Sequence, residues 1–227
     1  MTIIDCVSDL HGFEPELEGG DLLIVAGDLT ARDKPMEYDC FCTWLMNQPY
    51  KKKIFIGGNH DNLLTDFMPK IYRCPVRKDF KTNENLEHFE YLCDSGTEFE
   101  GLKIWGSPWT PWFYGVNPSC KAFMLSESKL VKKWELIPTD TDILITHGPP
   151  YGILDRTIRE KCAGSTSLYA WLKYVVRPKL HVFGHIHENY GKIEVFPTYN
   201  DKMMISVNAS HVNEKYEPVN KPIRIIL

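Results

Sequence analysis

Five short fragments of this chain collect side chains that bind metal ions: Asp9-Leu10-His11, Gly27-Asp28, Gly57-Gly58-Asn59-His60-Asp61, His147-Gly148 and Gly184-His185-Ile186-His187. Singly they say little. An isolated His-x-His is more often surface than ligand, and an aspartate just past a strand is usually a turn or cap residue. Together they hold five of the eight histidines in 227 residues, a concentration that points to one centre of carboxylate, carboxamide and imidazole donors. Glycines beside them let the backbone turn sharply and approach a bound ion or phosphate.

The elements that must position these donors are also visible. Apolar runs stand at Ile3–Val7, Leu22–Ala26, Lys53–Ile56, Lys103–Trp105, Ile143–Ile145 and Val182–Phe183, and later at Lys192–Phe196, Met203–Val207 and Ile223–Leu227. Their length and β-branched content favour buried strands. Each of the five fragments follows one of these runs, and carboxyl ends of parallel strands share a rim where ligands bind. Residues two apart in an extended segment point to one side. Asp9 with His11, and His185 with His187, are therefore each expected to offer two ligands to one centre.

Helical spacing appears at Tyr38, Phe41, Cys42 and Leu45, with Pro35 near the start and Pro49 beyond the end. It recurs at Leu168, Trp171, Leu172 and Val175, with Ser165 as N-cap and Pro178 after the end. Strands alternating with helices imply an α/β architecture. The late strands arrive with little helix between them, which suggests a second sheet packed on the first. No repeat, low-complexity tract or linker interrupts the chain, so residues 1–227 are read as a single domain.

Composition narrows the partners. Hydrophobic residues make up 43% and charged residues 25%, with a net charge of −4, so no global pull toward long nucleic acid or an anionic membrane is expected. Lys51-Lys52-Lys53 and Lys132-Lys133 read as solvated surface. No apolar run is long enough to cross a bilayer. The seven cysteines form no CxxC pair, and Cys40-Phe41-Cys42 reads as reduced thiols in a helix, giving an expectation of a reducing, cytoplasmic location.

The order DxH, GD, GNH(D/E), H and GHxH resembles the signature of the calcineurin-like metallophosphoesterase superfamily. It stands here as Asp9-Leu10-His11, Gly27-Asp28, Gly58-Asn59-His60-Asp61, Thr146-His147-Gly148 and Gly184-His185-Ile186-His187. Three further segments are similar to those of the metallophosphoesterase domain-containing proteins within it: Gly106–Phe113, Thr146–Pro150 and Val182–Glu188. Asn208-Ala209-Ser210 resembles that group's last motif, with His211 departing from it.

The resemblance implies a four-layer α/β/β/α fold, two packed mixed sheets flanked by helices, with metals at one edge. It also implies a division of labour. One ion takes Asp9, His11 and His187; the second takes Asn59, His147 and His185; Asp28 bridges them. His60 stays free of metal as general acid, with Asp61 receiving its other ring nitrogen to fix the tautomer. Two divalent ions, offset by Asp9, Asp28 and a bridging hydroxide, leave about one positive charge for an anionic phosphate. Imidazole and oxygen donors without thiolate suit manganese first, with iron, zinc or cobalt as alternatives, over magnesium or calcium.

Trp109, Trp112 and Phe113 leave two readings open: a rigid Pro-Trp loop packed on the body, or an aromatic face that stacks on a nucleobase or aryl ester. Arg156 and Arg159 follow the His147 motif and are candidates to reach a phosphate, with exposed surface as the default. His88 and His181 read as surface or packed structural residues. The implied activity is hydrolysis of a small phosphodiester, with a 2′,3′- or 3′,5′-cyclic nucleotide as first choice by analogy. The alternatives are a phosphomonoesterase with the same metals and a non-catalytic scaffold of the same fold.

Overall fold

A computed structural model describes residues 1–66, 89–113, 120–197 and 203–227. Cys74 and His88 lie outside these residues. The described strands are β1 (Ile3–Val7), β2 (Gly20–Ala26), β3 (Tyr50–Ile56), β4 (Phe89–Tyr91), β5 (Ser95–Phe99), β6 (Leu102–Ser107), β7 (Thr110–Pro111), β8 (Met124–Leu125), β9 (Ile143–Thr146), β10 (Leu180–Phe183), β11 (Gly191–Pro197), β12 (Met203–Asn208) and β13 (Ile223–Ile226). The helices are α1 (Pro35–Met46), α2 (Asn62–Asp66), α3 (Glu127–Trp134) and α4 (Thr166–Trp171).

Two sheets carry the molecule. One runs β13-β1-β2-β3-β4, with β1 through β4 mutually parallel and β13 antiparallel at the edge. The other runs β11-β12-β10-β9-β6-β5, with β12, β10, β9 and β6 parallel. The late strands therefore divide: β11 and β12 extend the second sheet, while β13 returns to the first.

Period-two alternation explains the layering. Ile4, Cys6, Leu22, Ile24, Ile54 and Ile56 face Ile143, Ile145, Leu180, Val182 and Val207 between the sheets. The intervening Val7, Leu23, Val25 and Phe55 point outward onto Phe41, Cys42 and Leu45 of α1. On the other side Leu144 and Met204 meet Leu130, Trp134 and Leu168 of α3 and α4. The result is helix, sheet, sheet, helix. Strands buried on both faces read as nearly unbroken apolar runs, which is why the sequence marked them.

Local signals set the helix ends. α1 begins on Pro35, where the missing N–H costs nothing, and Glu37 accepts from the Lys34 N–H at 2.9 Å. α4 is capped by Ser165, whose hydroxyl accepts from the Leu168 N–H at 3.1 Å. Its continuation, a π-helical turn at Leu172–Val176, ends on left-handed Arg177 just before Pro178. Cys40 is free and exposed, but Cys42 is in a disulfide, against the expectation of reduced thiols for the pair.

Candidate metal centre

The carboxyl ends of both parallel sets converge on one rim, where the sheets are stitched together. Ser8, just past β1, bridges Ser210, just past β12; the Ser8 N–H donates to Ala209 O at 2.8 Å and the His211 N–H to Ser8 O at 2.7 Å. Asp9, Asp28 and Asn59 come from the first sheet, and His147, His185 and His187 from the second.

Three buried or half-buried groups, Asp9/His11/His187, His11/Asp28/His60 and Asp28/His147/His185, have ligand atoms all within 4.8 Å of one another. Asp28 belongs to two of them. Its Oδ2 lies 3.7 Å from His11 Nε2, and its Oδ1 lies 3.4 Å from His147 Nε2, so its two oxygens face opposite clusters. Asn59 Oδ1 stands 3.0 Å from His147 Nε2, and His187 Nε2 stands 3.4 Å from both Asp9 Oδ1 and His11 Nε2.

The tautomers decide what this arrangement means. His147 Nδ1 faces Ala26 O at 3.0 Å and His187 Nδ1 faces Asn213 O at 3.2 Å. A carbonyl only accepts, so both Nδ1 atoms donate, and both Nε2 lone pairs point inward. There they meet carboxylate and carboxamide oxygens. Acceptors aimed at acceptors in a buried pocket fit a cation between them, and the nitrogen and oxygen donors suit a divalent transition metal.

The electrostatics agree. Burial alone would raise Asp9 and Asp28, but the surrounding histidines outweigh it and hold both carboxyls well below their usual range. Burial pushes His11 down to about 4 and His185 down to about 3, keeping them neutral. Burial also opposes charge on His147, yet Asp28 and Asp9 outweigh it and carry that group up to about 9. That proton would sit on Nε2, between the same oxygens that the neutral imidazole's lone pair would share with a metal ion, so the position favours a positive charge.

The backbone bends to achieve this. Asp9, His11, Asp28 and His185 all have left-handed φ, at 52°, 45°, 51° and 69°, a conformation costly for such residues and typical of functional sites. Two glycines make the approach possible: a Cβ on Gly58 would collide with Asp28 Oδ1, and one on Gly184 with Asp9 Oδ2. These bends also correct one expectation. His185 and His187 do not lie on an extended segment, because His185 is left-handed and His187 opens a short 3₁₀ turn, His187–Asn189. The two side chains accordingly join different clusters.

Asp61 departs from expectation too. Its carboxylate accepts from the backbone N–H groups of Gly58, Leu29 and Thr30 and from the Thr30 hydroxyl at 2.9–3.1 Å, so it pins the loop after β3 to the loop after β2. Burial, with Asp28 nearby, raises it to about 7 against those four donors. The Nδ1 of His60 instead faces Cys120 Sγ at 3.4 Å, while its Nε2 lies 3.9 Å from Asp28 Oδ2.

Trp109 follows the packed-loop reading. Its indole N–H donates to Asp94 at 2.9 Å, Lys133 Nζ lies 4.0 Å over the ring, and Phe123 meets it edge to face. Trp112 is half exposed. Phe113 reaches the centre, its ring centroid 5.0 Å from that of His185. Arg156 and Arg159 are exposed, and Arg156 pairs with Glu160 at 3.4 Å. His181 is a packed structural residue, its Nε2 2.8 Å from Thr146 Oγ1.

Three residues escaped the sequence reading. Ser210 donates to Asp9 Oδ2 at 2.6 Å, and its place in the Asn208-Ala209-Ser210 motif was the available signal. Asn213 orients His187 through its carbonyl, and Tyr216 packs on His11 and His187; neither carries a local signal.

Comparison with known proteins agrees with this geometry. Residues 3–189 match the family model described as calcineurin-like phosphoesterase. The human and mouse proteins called metallophosphoesterase domain-containing protein 1 are each 41% identical over 98% of this chain and 70% of their own length. The solved structure of TT1561 from Thermus thermophilus superposes with a TM-score of 0.61 at 15% identity, covering 92% of this chain and 91% of that one, a likeness of fold. With a matched family model across most of its length and two His/Asp clusters sharing Asp28, the chain belongs to the calcineurin-like phosphoesterases, a family of dinuclear metal-dependent enzymes.

Proposed function

We propose that the protein hydrolyses a small phosphodiester, a 2′,3′- or 3′,5′-cyclic nucleotide being the first choice. The observation that carries this is Asp28 facing two histidine clusters at once, with His60 beside it and outside the tautomer-locked pair. In this reading Asp9, His11 and His187 hold one ion, Asn59, His147 and His185 the other, and Asp28 both. Manganese is the first choice, with iron, zinc or cobalt as alternatives. When bound, such ions activate water and hold the phosphoryl oxygens.

The chain's own groups supply the rest. Ala26 O and Asn213 O fix the two ligand tautomers, and Ser210 fixes Asp9. As general acid His60 would carry protons on both ring nitrogens: Nδ1–H meets Cys120 Sγ, and Nε2, the atom facing the centre, carries the proton to be given, leaving a neutral imidazole behind. From Nε2 that proton passes to the departing ribose oxygen, which is a poor leaving group without it. A diester brings one negative charge, which matches the roughly single positive charge the loaded centre keeps. Arg156 is exposed and its charge is offset by Glu160 at 3.4 Å, so this reading gives it no part in neutralising a second phosphate charge.

The test is a manganese-supplemented panel of cyclic nucleotides with nitrophenyl mono- and diesters. Diester hydrolysis should dominate. His60→Asn should retain both ions, lose about 10²–10⁴ in kcat on the cyclic nucleotide, and lose less on the nitrophenyl diester, whose leaving group needs no proton. Equal losses on both substrates would remove His60 from the acid role. A wild-type preference for monoesters would overturn the diester assignment.

A further inference from the structure

We infer that Tyr216 is a substrate-binding residue: its ring forms one wall of the centre and stacks on the nucleobase of a nucleotide ester. This rests on the phosphoester reading above and adds a determinant that no metal-ligand motif contains.

Tyr216 stands far from those motifs in sequence, yet its ring centroid is 4.9 Å from that of His11 and 5.1 Å from that of His187, edge to face at 72° and 88°. It lies 6.4 Å from the His60 ring. Half of the residue (50%) remains exposed, so Tyr216 covers the histidines and still offers surface to a ligand. Its φ is +62°, an uncommon conformation for a bulky aromatic side chain.

A tight turn imposes that conformation. The Tyr216 N–H donates to Asn213 O at 2.9 Å, and Asn213 Oδ1 accepts from the N–H groups of Lys215 and Glu217 at 2.9 and 3.0 Å. The same Asn213 carbonyl accepts from His187 Nδ1. One residue thus orients a ligand histidine and fixes the ring above it, which places the phenol in register with the centre.

Across the site, Phe113 presents a second partly exposed ring beside His185. Exposed aromatic rings therefore flank both histidine clusters. A phosphate drawn between the clusters would carry its ester group out between these rings, where a planar base finds a stacking partner. A ring serving only to shield histidines from water would act on every phosphoester alike, and that difference is measurable.

The experiment uses manganese-loaded wild type, Tyr216→Phe and Tyr216→Leu, leucine keeping an apolar cover without an aromatic face. Metal content is measured first, then affinity for thymidine 5′-monophosphate and for inorganic phosphate by calorimetric titration. Hydrolysis of p-nitrophenyl thymidine 5′-phosphate is compared with that of methyl p-nitrophenyl phosphate, which has the same leaving group. Wild type should bind the nucleotide more tightly than phosphate. Tyr216→Leu should lose roughly 5- to 150-fold in nucleotide affinity and in KM for the thymidine ester, with phosphate, the methyl ester and metal content unchanged, while Tyr216→Phe stays near wild type. Equal losses on nucleotide and phosphate, loss of metal in Tyr216→Leu, or no wild-type preference for the nucleotide would each overturn the assignment. If the affinity pattern holds while wild type cleaves neither ester, stacking stands and the phosphodiesterase reading fails.

Discussion

The layer between the two sheets and the deepest residues of the rim where they meet are equally buried, yet they are held by different forces. Ile4, Ile24, Ile145 and Val182 are fully enclosed by other apolar side chains. Asp9 and His147 are just as enclosed, but Ser210 fixes one and Ala26 O the other so that their remaining atoms face the centre, and the backbone beneath Asp9 is left-handed. Burial alone therefore does not separate structure from function in this molecule. What separates them is conformational cost: the interlayer sits in ordinary extended backbone, whereas the rim accepts strained φ values to aim lone pairs at one place.

Asp28→Asn is the sharpest way to break that contrast. Because its two oxygens face both clusters, the substitution should release both ions and abolish activity, whereas His187→Ala should chiefly loosen one. Elemental analysis with calorimetric titration checks this; two ions at undiminished affinity in Asp28→Asn would show that the carboxylate charge is not needed.

Gly184→Ala and Ile145→Ala set the two regions side by side. A methyl group at Gly184 intrudes on Asp9 and Ser8, so metal affinity and activity should collapse with a smaller loss of fold. Ile145→Ala leaves a cavity between the sheets and should cost about 2–5 kcal/mol in denaturant unfolding while both ions still bind. The reverse pattern would erase the distinction.

Ser210→Ala probes the rim more gently. Losing the hydroxyl that fixes Asp9 should weaken metal binding by about 10- to 100-fold, read by competition with a chelator. Unchanged affinity would mean that the two Asp9 hydrogen bonds from the His185 N–H are sufficient.

The smallest effect concerns His181, buried away from the ligands. Burial lowers it to about 3, below the value near 6.5 expected when unfolded. Its contribution is thus fully present above about pH 6.5 and is lost as pH falls toward 3, by on the order of 1 kcal/mol between about pH 7 and 5.5. His181→Gln should flatten that part of the stability curve. A wild-type curve no steeper than the variant's would refute the linkage.

The strands and the five metal-binding fragments were legible because both are local: an apolar run, then a donor. Sorting the donors was less legible. By spacing alone His185 and His187 look like a pair; the resemblance to the family is what divided them between two ions, and the left-handed bend at His185 is how the chain sends them to different clusters. The resemblance made Asp61 the partner of His60, but backbone donors from the loop after β2 claim its carboxylate. Trp109, open in sequence between a packed loop and a stacking face, is claimed by Asp94 and Lys133, while Tyr216, which no motif singled out, reaches His11 from a distant segment. Such pairings are set by how the two sheets dock, which no window of sequence records.

The bridge between Ser8 and Ser210 has a mechanical consequence. Two of the clusters, Asp9/His11/His187 and Asp28/His147/His185, draw residues from both sheets, so an ion seated in either acts as a rivet through the same seam that the bridge closes. Docking of the layers and loading of the centre then share one equilibrium, and free-ion concentration sets how firmly the seam stays shut. Chelation should loosen the molecule from the rim inward, like a zip opened at its slider, with amide protons around Ser8 and His211 exchanging before those of the deep strands.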